Sequence, residues 1–224
     1  EPLTYFYFGG PISEGIAATR AARKGLRNVA VVGLGTGSLA CHKRDDEQWT
    51  FYEIDPDVVR IARDRRLFSY LSVCAPGLPV VLGDARLTLA SSGQRYDLII
   101  LDAFSSDAIP VHLLTREALA GYLSRLEPGG VLMLHISNRH MNLGPVVAAM
   151  GATEGLVTWL KNDHQGQHLE FKSNATVAIL ARDPRDLGDL PQRPGWQEIA
   201  PEVGVRAWTD DYSDILGAIL RMKL

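Results

Sequence analysis

The sequence predicts an α/β fold: a Rossmann-like, mostly parallel sheet with helices on both faces. Three observations lead there. Apolar strand-like runs alternate with helix-like segments, the pattern of a parallel sheet covered on both sides. The first buried run, Val29 to Val32, passes directly into Gly33-Leu34-Gly35-Thr36-Gly37, a glycine turn suited to close ligand approach. Successive runs then end on or beside acids: Glu53, Asp84 and Asp102.

Each element follows from its own residues. Tyr5-Phe6-Tyr7-Phe8 reads as the last strand of a preceding unit. The chain opens on Glu1, not methionine, so a longer parent protein is expected. Val29 to Val32 is a continuous apolar run, as a central strand requires. After the glycine turn a helix should begin over Ser38 to His42. Trp49 to Glu53 is the second strand, and Pro56 sits where a helix can start, with Asp57 to Arg66 as its body. Pro79 to Leu82 is the third strand; Gly83-Asp84-Ala85 leads into a helix ending near Ala90. Asp97 to Leu101 is the fourth strand, closing on Asp102. Thr115 is a suitable cap for a helix to Leu126. Pro128-Gly129-Gly130 turns the chain into a fifth strand, Val131 to Ile136. Further on, Leu143 to Met150 reads as helix, Thr176 to Ala181 as strand, Asp183 to Gly195 as loop and Ser213 to Met222 as a closing helix. Residues 1–28 are expected to form a lead-in, the remnant of a β domain, and 29–224 one Rossmann-like domain.

The chain has 224 residues and a formal net charge of -3. One large core is affordable at that length. The near balance argues against a broad basic surface for nucleic acid, so no nucleic-acid partner is expected. No apolar run reaches the roughly 20 residues needed to cross a bilayer, and no signal-peptide pattern is present. Cys41 and Cys74 show neither metal spacing nor a disulfide framework. They read as small buried apolar residues in a reducing compartment, which points to the cytoplasm.

In an open parallel sheet, ligands bind at the carboxyl ends of the strands. Here those ends carry glycines and acids four times in succession. Glu53 lies 20 residues past Gly33, where an acid can grip two ribose hydroxyls. Its bland alternative is a solvated strand end. Asp84 can accept from an adenine amino group, or simply cap the following helix. A dinucleotide is disfavoured, because the spacing is G-x-G-x-G and Ser38 stands where a third fingerprint glycine would fall.

These stations, in this order, resemble the class I S-adenosylmethionine-binding (methyltransferase-type) fold, and more closely the spermidine synthase (polyamine aminopropyltransferase) family. The resemblance is strongest to spermidine-synthase-like proteins, some of which are fused to membrane-transporter segments. It rests on Val31 to Gly37, Phe51-Tyr52-Glu53-Ile54-Asp55-Pro56, Gly83-Asp84-Ala85-Arg86, Tyr96 to Asp107 and Leu126-Glu127-Pro128-Gly129-Gly130-Val131-Leu132, and covers Gly10 to Ile136 best. It implies a transferase of polyamine biosynthesis. The co-substrate would be decarboxylated S-adenosylmethionine or S-adenosylmethionine itself, with no metal, and the acceptor a small amine. Gly33, Gly35, Thr36, Gly37, Glu53, Asp84, Ala85 and Asp102 would hold the co-substrate. Asp102 would lie beside the aminopropyl chain, and Asp107 would anchor the attacking amine and take its proton. Asp210, Asp211 and Tyr212 would join the acidic rim for the amine; Asp210 and Asp211 could equally cap the last helix. A homodimer is a further expectation.

The sequence also departs from the family. Thr36 replaces the loop aspartate usual there. Four residues, Ala103 to Ser106, separate the paired aspartates instead of two. Pro11 to Gly15 stands where the family has a tyrosine with a glutamine or histidine. An S-adenosylmethionine-dependent methyltransferase and a non-catalytic adenosyl-binding module are therefore the competing readings. His135 and His140 read as polar residues of the cleft edge, His112 as a weak neighbour of the amine pocket, and Trp49, Phe51 and Tyr52 as strand core. Arg60, Arg63, Arg65 and Arg66 read as the solvated face of a helix.

Overall fold

Val29, Ala30 and Val31 have no exposed surface and Val32 has almost none; the rest of the sheet is laid out on both sides of the strand they form. A computed structural model describes residues 1–103, 110–164 and 170–222. Eight strands make one sheet: β1 Asn28–Val32, β2 Gln48–Glu53, β3 Val80–Leu82, β4 Tyr96–Leu101, β5 Leu126–His135, β6 Val157–Asp163, β7 Ala175–Ala181 and β8 Trp196–Glu198. Their spatial order is β3-β2-β1-β4-β5-β7-β6-β8. The first five strands run parallel, with Val31 level with both Phe51 and Ile100. β7 is antiparallel to β5 and β6, and β8 is antiparallel to β6.

Alternate side chains divide the core into two layers, as strand geometry requires. Val29, Val31, Phe51, Leu98, Ile100, Met133 and Ile179 face one way. That face is covered by α1 Pro11–Ala22, α2 Pro56–Arg63 and α3 Tyr70–Cys74, through residues such as Ile12, Ala62 and Leu71. Ala30, Val32, Tyr52, Ile99, Leu101, Leu132 and Leu134 face the other way. They meet α4 Ala85–Ser91, α5 Arg116–Arg125, α6 Gly144–Thr153 and α7 Ile215–Leu220. Truncating a residue such as Ile100 to alanine would cost about 2–5 kcal/mol.

Helix starts are chemically explicit. Asp55 accepts from the Asp57 amide ahead of α2, with Pro56 in the first turn. Thr115 accepts from the Ala118 amide and caps α5. Asp214, not Asp210 or Asp211, caps α7 by accepting from the Gly217 amide.

Several expectations are corrected. Tyr5 to Phe8 form turns and irregular chain, not a strand; among the described residues a single bridge, Thr4 to Lys172, precedes them. Aromatic alternation suggested a strand, but no neighbouring strand pairs with these residues. Ser38–His42 is a short 3-10 helix. β6 and β8 were not expected: β6 ends in Lys161-Asn162-Asp163 and β8 is three residues long, so neither has a readable apolar run. Cys41 and Cys74 are bonded to each other, with Cα atoms 4.8 Å apart. That removes the cysteine argument for a reducing compartment, since disulfides persist in oxidising ones. Among the described residues, no helix is long and apolar enough to cross a membrane.

Candidate active site

The order β2-β1-β4 makes the gap beyond β1 and β4 the point where strand order reverses, the usual ligand crevice of such sheets. A cavity of about 510 Å³ opens there, within the normal range for a small-molecule site. Gly33, Gly35, Thr36, Glu53, Asp84, Ala85 and Asp102 all line it. The strand order sets them in a row: Asp84 after β3, Glu53 on β2, Gly33 after β1 and Asp102 after β4.

Gly33 has φ 97°, and a Cβ there would collide with the Asp102 carbonyl. The Gly33 amide donates to Tyr52 O and the Asp102 amide to Val32 O, each at 2.8 Å. The ends of β2, β1 and β4 are thus knitted together, with no room for a side chain at Gly33. Gly37 serves a different purpose. It stands at φ 81° ahead of the 3-10 helix, and Leu71 fills the space beside it, 2.6 Å from where a Cβ would lie. Its place is in packing α3 against the loop.

Glu53 is buried, and its carboxylate is already engaged. Oε2 accepts from the Leu34 amide at 2.9 Å; Oε1 accepts from the Ile54 and Asp55 amides at 2.8 and 3.0 Å. A carboxylate has about four acceptor directions, so roughly one remains for a ligand hydroxyl. Asp84 accepts from the Arg86 amide and caps α4, so the capping expectation is met while the residue also faces the cavity.

Asp102 is paired with a residue that sequence reasoning set aside. Its Oδ1 lies 2.7 Å from Nδ1 of His135, both side chains being under 10% exposed (9% and 6%). Burial pushes the Asp102 carboxyl above the ordinary carboxylate range, and the neighbouring His135 offsets only part of that rise. The sequence alone could not show this: β4 and β5 are parallel neighbours with Leu101 level with Leu134, and that register sets the residues ending the two runs side by side. Tyr5 stacks on the His135 ring at 4.2 Å. Burial and then the Asp102 charge hold its phenol above the ordinary range. Thr4, Tyr5 and Phe6 also line the cavity, a role that a strand reading had hidden.

Asp210, Asp211 and Tyr212 belong to a second cavity of about 590 Å³ with Arg86 and Thr115. It shares Pro110 and His112 with the first. Asp210 is not waiting for a cation: Arg86 and Thr115 already occupy its carboxylate, with Arg86 holding it down at about 2. The Arg206 guanidinium covers the Tyr212 ring at 4.6 Å. Asp107 lies outside the described residues. Trp49, Phe51 and Tyr52 are buried strand residues as expected; Arg60, Arg63, Arg65 and Arg66 are all exposed, but α2 ends at Arg63, so Arg65 and Arg66 lie beyond the helix. Among the described residues no cluster of three potential ligands gathers as a metal site.

A scan against protein-family models finds no match. The chain is 36% identical over 111 residues to a polyamine aminopropyltransferase from Vibrio vulnificus, a match covering 47% of this chain and 36% of that enzyme. The chain therefore spans only about a third of the length of that relative. In overall fold it is similar to a probable spermidine synthase from Corynebacterium glutamicum, with TM-score 0.63 and 18% identity over 90% of this chain and 79% of the other. A spermidine synthase in complex with the transition-state analogue AdoDATO superposes with TM-score 0.55 and 12% identity, over 90% of this chain and 67% of that one. Human methyltransferase-like protein 13 in complex with SAH has TM-score 0.55 and 20% identity, covering 93% of this chain and 88% of the other.

Proposed function

We propose that this chain, which is similar to a polyamine aminopropyltransferase over about half its length and to spermidine synthases in fold, moves an aminopropyl group from decarboxylated S-adenosylmethionine to a polyamine or related amine. The observation that carries this reading is the row Asp84, Glu53, Gly33, Asp102 across four neighbouring strand ends of one cavity. Three inter-strand intervals span roughly 14 Å, which suits an extended adenosyl group with a short side chain.

The residues present fit such a co-substrate. Gly33 and Gly35 line the floor, Gly35 with open space where a side chain would stand, and acids stand at both ends. Glu53 accepts from the ribose and Asp84 from the adenine amino group. Asp102 lies against the short chain beyond the sulfur. When bound, the co-substrate supplies a carbon made electrophilic by its sulfonium. The amine reaches the site as ammonium and cannot attack until a proton leaves; Asp107 is assigned to take it. Holding amine, carbon and sulfur in line replaces a bimolecular encounter and supplies much of the rate.

Thr36 on the cavity wall, in place of an acid, favours a second reading: methyl transfer from S-adenosylmethionine. One assay separates the two. The protein is incubated with putrescine and either co-substrate, and the released nucleoside is identified. Methylthioadenosine with a lengthened polyamine supports aminopropyl transfer; adenosylhomocysteine supports methyl transfer. Binding without turnover across an amine panel points to an adenosyl-binding module. Asp107→Asn should abolish transfer and leave nucleoside binding nearly intact; surviving turnover would remove Asp107 as the base.

A further inference from the structure

We infer that His135 is a positioning residue for the co-substrate: by a hydrogen bond it holds the Asp102 carboxyl group at the cavity wall, opposite the ammonium end of decarboxylated S-adenosylmethionine. The inference rests on the aminopropyl-transfer reading above and adds to it a residue and a ligand preference.

A chain of short contacts runs through His135. The Thr176 amide donates to Ser137 Oγ at 2.8 Å. Ser137 Oγ lies 2.7 Å from His135 Nε2, and His135 Nδ1 lies 2.7 Å from Asp102 Oδ1. The amide takes one of the two lone pairs of Ser137 Oγ, and the hydroxyl keeps its own proton to give to Nε2. Nδ1 then carries the imidazole N–H and donates it to an ionised Asp102. A chain of donors thus runs from the backbone of β7 to the carboxylate at the end of β4. The stacked Tyr5 ring covers the imidazole and restricts its rotation.

The chain has a purpose only if Asp102 must be charged. A carboxylate this buried favours the neutral acid unless a partner compensates. Because Thr36 is neutral, Asp102 is the acid at the β4 end of the cavity among the described lining residues. An ammonium group placed there needs a carboxylate, not a carboxylic acid. The other groups facing the pair are consistent with this. Tyr5, on the amino-terminal segment, stays protonated beside Asp102. Gly33 after β1 and Thr176 on β7 do not titrate. Glu53, Asp55, Asp84 and His112 stand elsewhere on the cavity wall.

The test compares a cationic with a neutral ligand. Dissociation constants for decarboxylated S-adenosylmethionine and for methylthioadenosine are measured by calorimetry between pH 5.5 and pH 8.5, in wild type, His135→Leu and His135→Asn. The wild type should prefer the cation. His135→Leu should lose at least about tenfold in affinity for it, most at low pH, with methylthioadenosine changed by less than about twofold. The side-chain amide of His135→Asn can replace the Nδ1 donor and should restore most of the loss. Equal losses for both ligands, or an unchanged preference, overturn the inference. A wild type that binds methylthioadenosine but shows no cation preference overturns the function reading as well, before any variant is made. Should His135→Leu fail to fold, proton NMR of the wild type decides: a far-downfield Nδ1–H resonance that disappears in Asp102→Asn is required, and an unprotonated Nδ1 refutes the assignment.

Discussion

The guanidinium of Arg86 and the carboxylate of Asp210 meet through two parallel hydrogen bonds, Nη1 to Oδ1 and Nη2 to Oδ2, each 2.8 Å. Thr115 Oγ1 adds a third at 2.7 Å, and the Asp210 amide donates to Glu117. The segment before α7 is thereby tied to α4 and α5 beside the cavity. Arg86, and after it Thr115, lower the Asp210 carboxyl to about 2, below the roughly 3.9 of an unfolded chain. A depressed carboxylate stabilises the fold above its unfolded pKa and loses that contribution as pH falls through the folded value. The Asp210 side chain is 43% exposed, so solvent screening limits the pair to about 1 kcal/mol or less. Asp210→Asn should therefore lower stability slightly at pH 7, and the gap to wild type should close as pH falls from 4 toward 2. Urea unfolding across that range measures it; a gap independent of pH would refute the ion-pair account.

Glu53 offers a test of the nucleoside end. Three backbone amides share its carboxylate, so two ribose hydroxyls can bind only if at least one amide bond lengthens. Methylthioadenosine should shift the amide resonances of Leu34 or Asp55. Glu53→Gln should weaken that ligand roughly 10- to 100-fold, the worth of a charged hydrogen bond. Binding within twofold of wild type would place the ribose elsewhere.

The Cys41–Cys74 bond closes a span of 33 residues that contains β2, α2 and α3. Chain-entropy arguments give such a crosslink roughly 3–4 kcal/mol. Melting in the presence of a dithiol should occur several degrees lower than without it. A Cys74→Ser variant should melt at the reduced temperature under both conditions. Identical melting of oxidised and reduced wild type would show that the bond contributes nothing.

Gly33→Ala probes the knitted strand ends. The alanine would need φ near 97° and would meet the Asp102 carbonyl, so β1 and β4 must part. A loss of about 1–3 kcal/mol in stability is expected, along with loss of nucleoside binding. A variant as stable as wild type, binding normally, would show that the loop tolerates a side chain.

What the sequence alone determined is the parallel half of the sheet and the residues that close its strands. β1 to β4 are short runs closed by glycine or an acid, and β1, β4 and most of β2 are buried, so local residue type reveals both the strand and its end. Gly33, Glu53, Asp84 and Asp102 could be named on that basis, and the structure brings all four to one cavity. The tertiary structure decided what depends on distance along the chain. β6 and β8 are too polar or too short to read alone and exist by pairing with β7 and with each other. Cys41 finds Cys74, Arg86 finds Asp210 across 124 residues, and His135 finds Asp102 across 33. Each partner satisfies a buried or charged group that its own neighbours in sequence cannot reach. Spacing shows which residues end a strand; only the packing of strands against one another shows which of those ends touch.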